Sequence, residues 1–132
     1  MSYAEDMRDI IVSNVGDRLR FFIQVDPETR TQDVLFARED LEWSDRKAAV
    51  VDSELHELVA KESYEEHMEA GEVTQIIKVA DRMVMFTGFI EDEVVVVTFD
   101  RGILQDLPAV VAEFREYMID NDIDFTALAV PE

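Results

Sequence analysis

The chain has no cysteine, four glycines and three prolines, and it lacks any apolar run long enough to cross a membrane. Without cysteine, disulfides and thiolate chemistry are excluded, and nothing points to an oxidising compartment. A membrane-spanning helix needs about 20 mostly apolar residues. The first ten residues, MSYAEDMRDI, also lack the basic and apolar regions of a signal peptide. We therefore expect a cytoplasmic protein.

Positive charge is also scarce in this chain. Lys and Arg total 12 against 31 Asp and Glu, so the formal net charge is −19, and only three of the cations are lysine. Such a charge repels itself in dilute buffer. In molar salt the Debye length falls to about 3 Å, so neighbouring carboxylates are largely screened. The composition predicts a protein from a salt-accumulating archaeon, and the alternative of a disordered acidic chain is disfavoured by a hydrophobic fraction of 48%.

The same acidic excess argues against binding to nucleic acid, because phosphate contacts need clustered Lys and Arg. A nucleic-acid mimic that occupies the basic groove of another protein is an alternative interpretation. A salt-adapted surface explains the charge without any such partner.

Apolar periodicity predicts one domain organised around residues 73–99. This stretch holds three strands, at 73–79, 83–89 and 93–99, and the last contains the run VVVV, which predicts a central strand covered on both faces. Strands at 19–25 and 32–38 form a hairpin, and helices are predicted at 3–15, from 44 to about 70, and from 107 onward. We expect the central helix to loosen beyond Lys61.

The resulting order, α-β-β-α-β-β-β-α, predicts an α+β fold with helices flanking a five-stranded antiparallel sheet. Residues 1–121 are expected to form this domain. The tail at 122–132 keeps four apolar side chains, which predicts that it docks on the domain or on a partner. They are Ile123, Phe125, Leu128 and Val130.

The chain carries no motif that predicts catalysis, a cofactor or a metal. His56 begins the sequence of a zinc-protease helix, but Ala60 stands where the second histidine must be. His67 lies about 16 Å further along a helix, too far to share a metal with His56. Three alternating carboxylates near the end lack the glycine and bidentate glutamate of a calcium loop: Asp120, Asp122 and Asp124. We expect a protein that is not an enzyme.

The element order resembles that of the roadblock and profilin-like superfamily over about residues 3–121. The hairpin LRFFIQVDPETRTQDVLFARED, the helix DSELHELVAKESYEEHMEAGEV and the strands IIKVADRMVMFTGFIEDEVVVVTFD also resemble a family of small uncharacterised haloarchaeal proteins, which brings no established activity. Members of that family have an extended LYVRDD where this chain has LFARED. The roadblock resemblance implies that strand 73–79 is an edge strand that pairs with its copy across a dimer. The candidate interface residues are Val73, Gln75, Ile77 and Val79.

These observations predict an interaction or regulatory module that forms a homodimer or binds a protein partner. Trp43 is either an anchor for that partner or an apolar staple at the start of the central helix. The alternative is a small-molecule sensor with a PAS-like pocket between sheet and helix. Its predicted lining is Met83, Met85, Phe86 and Phe89.

Overall fold

A computed structural model describes residues 3–90 and 92–122 of the chain. Five antiparallel strands form one sheet in the spatial order β2-β1-β5-β4-β3. Their bounds are β1 Leu19–Val25, β2 Gln32–Ala37, β3 Gln75–Val79, β4 Met83–Ile90 and β5 Glu93–Asp100. All residues from 94 to 99 are buried in β5, and this strand lies in the centre as the valine run predicts. The predicted α+β class is confirmed.

Helices cover both faces of the sheet. Their bounds are α1 Tyr3–Val15, α2 Asp45–Ser53, α3 Glu57–His67 and α4 Leu107–Asp120. On one face, α1 and α4 pack on the sheet, and Met7 and Ile11 of α1 lie in the same buried cluster as Phe22 and Phe99. On the other face, Val51 of α2 is buried against the sheet, and the start of α3 packs beside it. The alternation of side chains along β1 and β5 supplies both cores.

The central helix is interrupted at a different place from the one predicted. A 3₁₀ turn at Glu54–His56 separates α2 from α3, and α3 continues in regular form to His67. The prediction that the helix loosens beyond Lys61 is wrong, because side-chain contacts stabilise this part of α3. The Lys61 ammonium lies 2.7 Å from Glu65 and 5.9 Å from the ring centroid of Phe89.

Gly88 lies in a regular part of β4. It pairs in regular register with Gln75 and Val95, and an added Cβ would lie 3.1 Å from Val95 Cγ2. Close approach of a neighbouring side chain is therefore the reason for a glycine here. Register shifts occur instead in β1, between Leu19 and Phe21 and between Phe22 and the next residue. The predicted tail, apart from its first residue, lies outside the described residues.

The few cations connect elements that are distant in sequence. Arg38, after β2, lies 2.6 Å from the Asp100 carboxylate at the end of β5, and its hydrogen bonds hold the pKa of Asp100 below the ordinary value of 3.8. Arg30, in the first hairpin turn, donates to both oxygens of Asp52 on α2. A similar pair joins Arg18 to Asp106 at 2.7 Å.

Candidate functional site

The strand β3 is an edge of the sheet, and its outer backbone groups can be assigned from two hydrogen bonds. Thr74 O accepts from Phe89 N at 2.7 Å, and Ala80 N donates to Met83 O at 2.8 Å. Because N–H and C=O of one residue point to the same side of an antiparallel strand, and the side alternates, residues 74, 76, 78 and 80 face β4. The N–H and C=O groups of residues 75, 77 and 79 therefore point away from the sheet.

Lys78, the only cation of β3, does not protect this edge. Its ammonium lies 2.8 and 3.1 Å from the two carboxylate oxygens of Glu54 and 3.0 Å from Glu57. The hydrogen bonds that Lys78 donates to Glu54 and, second, to Glu57 raise the pKa of Lys78. Charged side chains that project past an edge strand block its pairing. Lys78 is instead held on the central helix, and within residues 3–90 and 92–122 no strand pairs with the outer side of β3.

Glu54 is a buried carboxylate that the sequence reasoning missed. Its side chain is 7% exposed, and besides Lys78 it accepts a hydrogen bond of 3.0 Å from the buried Thr87 hydroxyl of β4. A buried charge needs such partners because its desolvation is costly. One signal in the sequence could have found it, since Glu54 lies three residues after Val51 and four before Leu58 on the apolar stripe.

The residues that lead into β3 are held by α3. Val73 N donates to Glu65 Oε2 at 2.8 Å. The hydrogen bond from Lys61, followed by that from Val73, holds the pKa of Glu65 below its ordinary value. The predicted strand start at 73 is therefore wrong, because β3 begins at Gln75 and the N–H of Val73 is already bonded.

The other predicted interface residues lie together. Gln75, Ile77 and Val79 share one side of β3, and the last two are 44% and 54% exposed. This side belongs to the face that carries α1 and α4, as the lining of a small cavity by Gln75, Ile77 and side chains of α4 indicates. Their role in an interface stays a prediction.

Trp43 is half-buried at the entrance to α2. Its ring meets that of Phe21 edge-to-face, with 5.3 Å between centroids. Ser44 caps α2 by accepting from Lys47 N at 3.2 Å, and the Lys47 ammonium lies 4.8 Å from the centroid of Phe21. This packing places Trp43 against the core beneath the central helix, and the staple interpretation stays a prediction. The partner-anchor role of Trp43 stays a prediction.

The four residues predicted to line a sensor pocket do not share a face. Met83, Met85 and Phe89 belong to the core beneath the central helix. Phe86 lies on the opposite face, where its ring is 5.5 Å from that of Phe99. The predicted lining is wrong for Phe86 because successive residues of a strand point to opposite faces. A cleft of about 210 Å³ does lie between Trp43 and the two methionines.

Within residues 3–90 and 92–122, no group of three or more acidic or histidine side chains has the arrangement of a metal site. His56 and His67 are both exposed. None of the helices in this part of the chain combines the length and the apolar character needed to span a membrane.

The five-stranded antiparallel sheet with flanking helices matches the fold of roadblock/LC7 neighbours. The gliding protein MglB from Thermus thermophilus is similar in structure, with a TM-score of 0.55, 12% identity, and 75% of this chain and 74% of that chain covered. Myxococcus xanthus MglB is similar with a TM-score of 0.53 and 10% identity over 99% and 98% of the two chains.

The chain belongs to the family described as Domain of unknown function (DUF7522), whose model matches residues 5–118. No curated protein sequence matches it. The predicted resemblance to a family without an assigned activity and to roadblock-like proteins is confirmed.

Proposed function

We propose that this chain is a non-enzymatic interaction module that forms a homodimer by pairing β3 with its copy in a continuous sheet. The observation that carries the proposal is the open edge, where three residues direct N–H and C=O groups outward while Lys78 is held by Glu54 and Glu57. MglB, which shares the fold, is described in a tetrameric arrangement. That assembly is a property of MglB, and it supports the ability of this fold to self-associate.

Backbone geometry restricts the register of this pairing. Antiparallel copies can join only through the outward residues 75, 77 and 79. Centring the two-fold axis on Ile77 pairs 75 with 79, 77 with 77 and 79 with 75, and so forms about six inter-strand hydrogen bonds. A shift of the axis by one residue in either direction loses one of these three pairs. We therefore place the axis at Ile77.

In this register each side chain of β3 lies beside a defined residue of the second copy. Ile77 meets its copy on the face of α1 and α4, and Val79 lies beside Gln75 of the second copy. On the other face, Lys78 lies beside Ile76 of the second copy. These contacts bury the apolar side chains that β3 exposes, which favours association.

The salt dependence of the dimer follows from its charge. Two copies that each carry −19 repel one another, and this repulsion reaches about 10 Å at 0.1 M salt but about 3 Å at 1 M. The proposed setting is the salt-rich cytoplasm of a halophilic archaeon. We expect the dimer fraction, measured by light scattering, to rise as KCl is increased.

Proline substitution tests the edge directly. Ile77→Pro removes an N–H that points away from β4 and makes no hydrogen bond within the sheet. The monomer should therefore fold, while pairing with a second copy is blocked. The matched control is Val34→Pro in β2, at the opposite edge of the sheet. Asp26 N donates to Thr31 O, so residues 31 and 33 face β1 and the N–H of Val34 points outward. In molar KCl we expect twice the monomer mass of 15.2 kDa for the parent and for Val34→Pro, and the monomer mass for Ile77→Pro. A folded Ile77→Pro that remains dimeric, or a parent that is monomeric at high concentration, refutes the proposal.

A sensor function is the second candidate, favoured by the cleft of about 210 Å³ that contains Trp43, Met83 and Met85. Met side chains adapt readily to bound apolar molecules. Because Trp43 is the single tryptophan of the chain, its fluorescence reports on this cleft alone. Titration with phenylacetate and with hexanoate in molar KCl tests it: saturable change supports a small-molecule site, and an unchanged spectrum argues against this class of ligand.

A further inference from the structure

Two cations line the cleft of about 210 Å³ on the face of the sheet that α2 covers. They are Arg20 of β1 and Lys47 of α2, and the other lining residues are mostly apolar. The chain has 31 acidic residues against 12 basic ones, so most cations have a choice of carboxylate partners. Two cations that share an apolar cleft therefore indicate a site that favours an anion.

A β-bulge directs the Arg20 side chain into this cleft. Leu19 pairs with Phe99 and Phe21 pairs with Thr98, so Arg20 is the extra residue of β1 between these two pairs. A bulge changes the direction of a side chain relative to the regular alternation of the strand. Arg20 and Phe21 consequently line the same cleft, although neighbouring residues of a regular strand point to opposite faces. The bulge thus gives the cleft a guanidinium group.

Arg20 is incompletely paired in this position. Its Nη1 lies 3.4 Å from Asp100 Oδ1, whereas Arg38 lies 2.6 Å from the same carboxylate. The Arg20 side chain is 25% exposed, and a cation that is largely removed from water needs acceptors for its N–H groups. Among the described residues, Asp100 is the one acceptor that this side chain has. Most donors of the guanidinium are therefore left for water or a ligand.

Lys47 has no carboxylate partner within the part of the chain that the structure describes. Its ammonium donates to Glu42 O and lies 4.8 Å from the ring centroid of Phe21. The Thr98 hydroxyl also lines the cleft, and its oxygen accepts from Phe21 N at 3.2 Å, which leaves its O–H proton available to donate. The polar groups of the lining therefore gather around Phe21, at one side of an otherwise apolar cleft.

We propose that this cleft binds a small monocarboxylate with an apolar body, and that Arg20 and Lys47 recognise the carboxylate. The planar guanidinium is suited to pairing with a carboxylate, and the apolar body packs against Trp43, Met83 and Met85. A single negative charge is favoured, because the net charge of −19 repels each further one. The inference rests on the sensor function, the second candidate above, and is independent of the pairing at β3.

A comparison of phenylacetate with its neutral amide, phenylacetamide, tests the carboxylate site. Both are titrated into the full chain in molar KCl, and the fluorescence of Trp43, the single tryptophan, reports binding. We expect phenylacetate to bind about tenfold more tightly than the amide, because hydrogen bonds to a charged group are stronger than those to a neutral one. Salt screens a partly buried ion pair much less than an exposed one, so the difference should persist in molar KCl.

Three variants test the role of the two cations. Arg20→Met and Lys47→Met each remove one cation and keep an apolar stem. Each should weaken phenylacetate binding about tenfold and change amide binding by less than about twofold. The matched control is Arg46→Met, which removes a cation from a neighbouring, exposed position of α2 that does not line the cleft. It should leave both affinities unchanged.

Equal affinities of the parent chain for the acid and the amide overturn the carboxylate site but leave the sensor function standing. If neither compound binds, the inference is refuted together with the sensor function on which it rests. Equal weakening by Arg46→Met and by the two cleft variants also overturns the inference, because the net charge of the chain would then set the affinity. The comparison of acid and amide uses the parent chain, so it does not depend on the folding of any variant.

Discussion

The Lys78–Glu54 pair offers the sharpest test of the energetics. Lys78→Met keeps an apolar side chain of similar length but removes the cation that faces the buried Glu54 carboxylate. Among the described residues, the Thr87 hydroxyl would be its remaining donor. Removing one partner of a fully buried pair costs about 3–5 kcal/mol. Because the Lys78 side chain is 49% exposed, water screens one side of this pair, and we expect a loss of about 2 kcal/mol.

Urea denaturation in molar KCl, followed by circular dichroism, measures this loss. With a urea slope of about 2 kcal/mol per M, the midpoint should fall by about 1 M. High salt is a useful condition because it screens surface pairs strongly and buried pairs much less.

Two further variants show whether the loss of stability comes from leaving the Glu54 charge buried without its cation or from the loss of any lysine. Adding Glu54→Gln to Lys78→Met should restore about 1 kcal/mol, because the unpaired group is then a neutral amide. Lys61→Met is the matched control and should cost less, since the Glu65 side chain is 26% exposed against 7% for Glu54. Equal losses for the two lysine variants, with no relief from Glu54→Gln, would refute the reasoning.

Three more outcomes follow from the packing and charges. Arg38 lowers the pKa of Asp100 in the folded state, so their ion pair contributes stability above the ordinary pKa of 3.8, and this stability is lost as pH falls through the lower folded pKa. Arg38→Gln should therefore flatten the acid-induced loss of stability below about pH 4, and an unchanged acid titration would contradict this. Trp43→Ala removes the ring that packs on Phe21 and should cost about 2 kcal/mol by urea denaturation, whereas a neutral effect would favour a role in partner contact. Gly88→Ala places a Cβ 3.1 Å from a neighbouring methyl group and should cost about 1 kcal/mol, seen as a lower Tm, unless that side chain yields.

The fold was predictable because the apolar periodicity is strong where the sheet and helices pack. The valine run of β5 indicated a strand covered on both faces, and it is central in the sheet. The stripe from Leu107 onward indicated α4, which begins at that residue. The break in the central helix was misplaced, because the sequence suggests that Lys61 and Glu65 are solvated charges. In the structure Lys61 lies over the Phe89 ring of β4, and Glu65 accepts from Val73 N.

The candidate site was predictable only in part. The sequence placed Gln75, Ile77 and Val79 on one side of a strand, and they share a side because β3 is regular through these positions. It could not show which backbone groups are already bonded, such as the N–H of Val73, which donates to Glu65; the interface role of Val73 stays a prediction. Phe86 was assigned to the wrong face because the pocket lining was chosen by side-chain size and apolar character, without regard to the alternation of side chains along the strand.

By itself, the sequence determined the class of fold, the acidic surface and the absence of any recognised catalytic motif, because these depend on composition and local periodicity. The tertiary structure alone decided that the β3 edge is not guarded by a charge. That outcome depends on Lys78, whose charge would guard an edge strand if it pointed outward. Glu54, 24 residues before it, and Glu57 hold that charge on the central helix instead. Such contacts between distant residues are set by how the helix lies on the sheet, which no local pattern specifies.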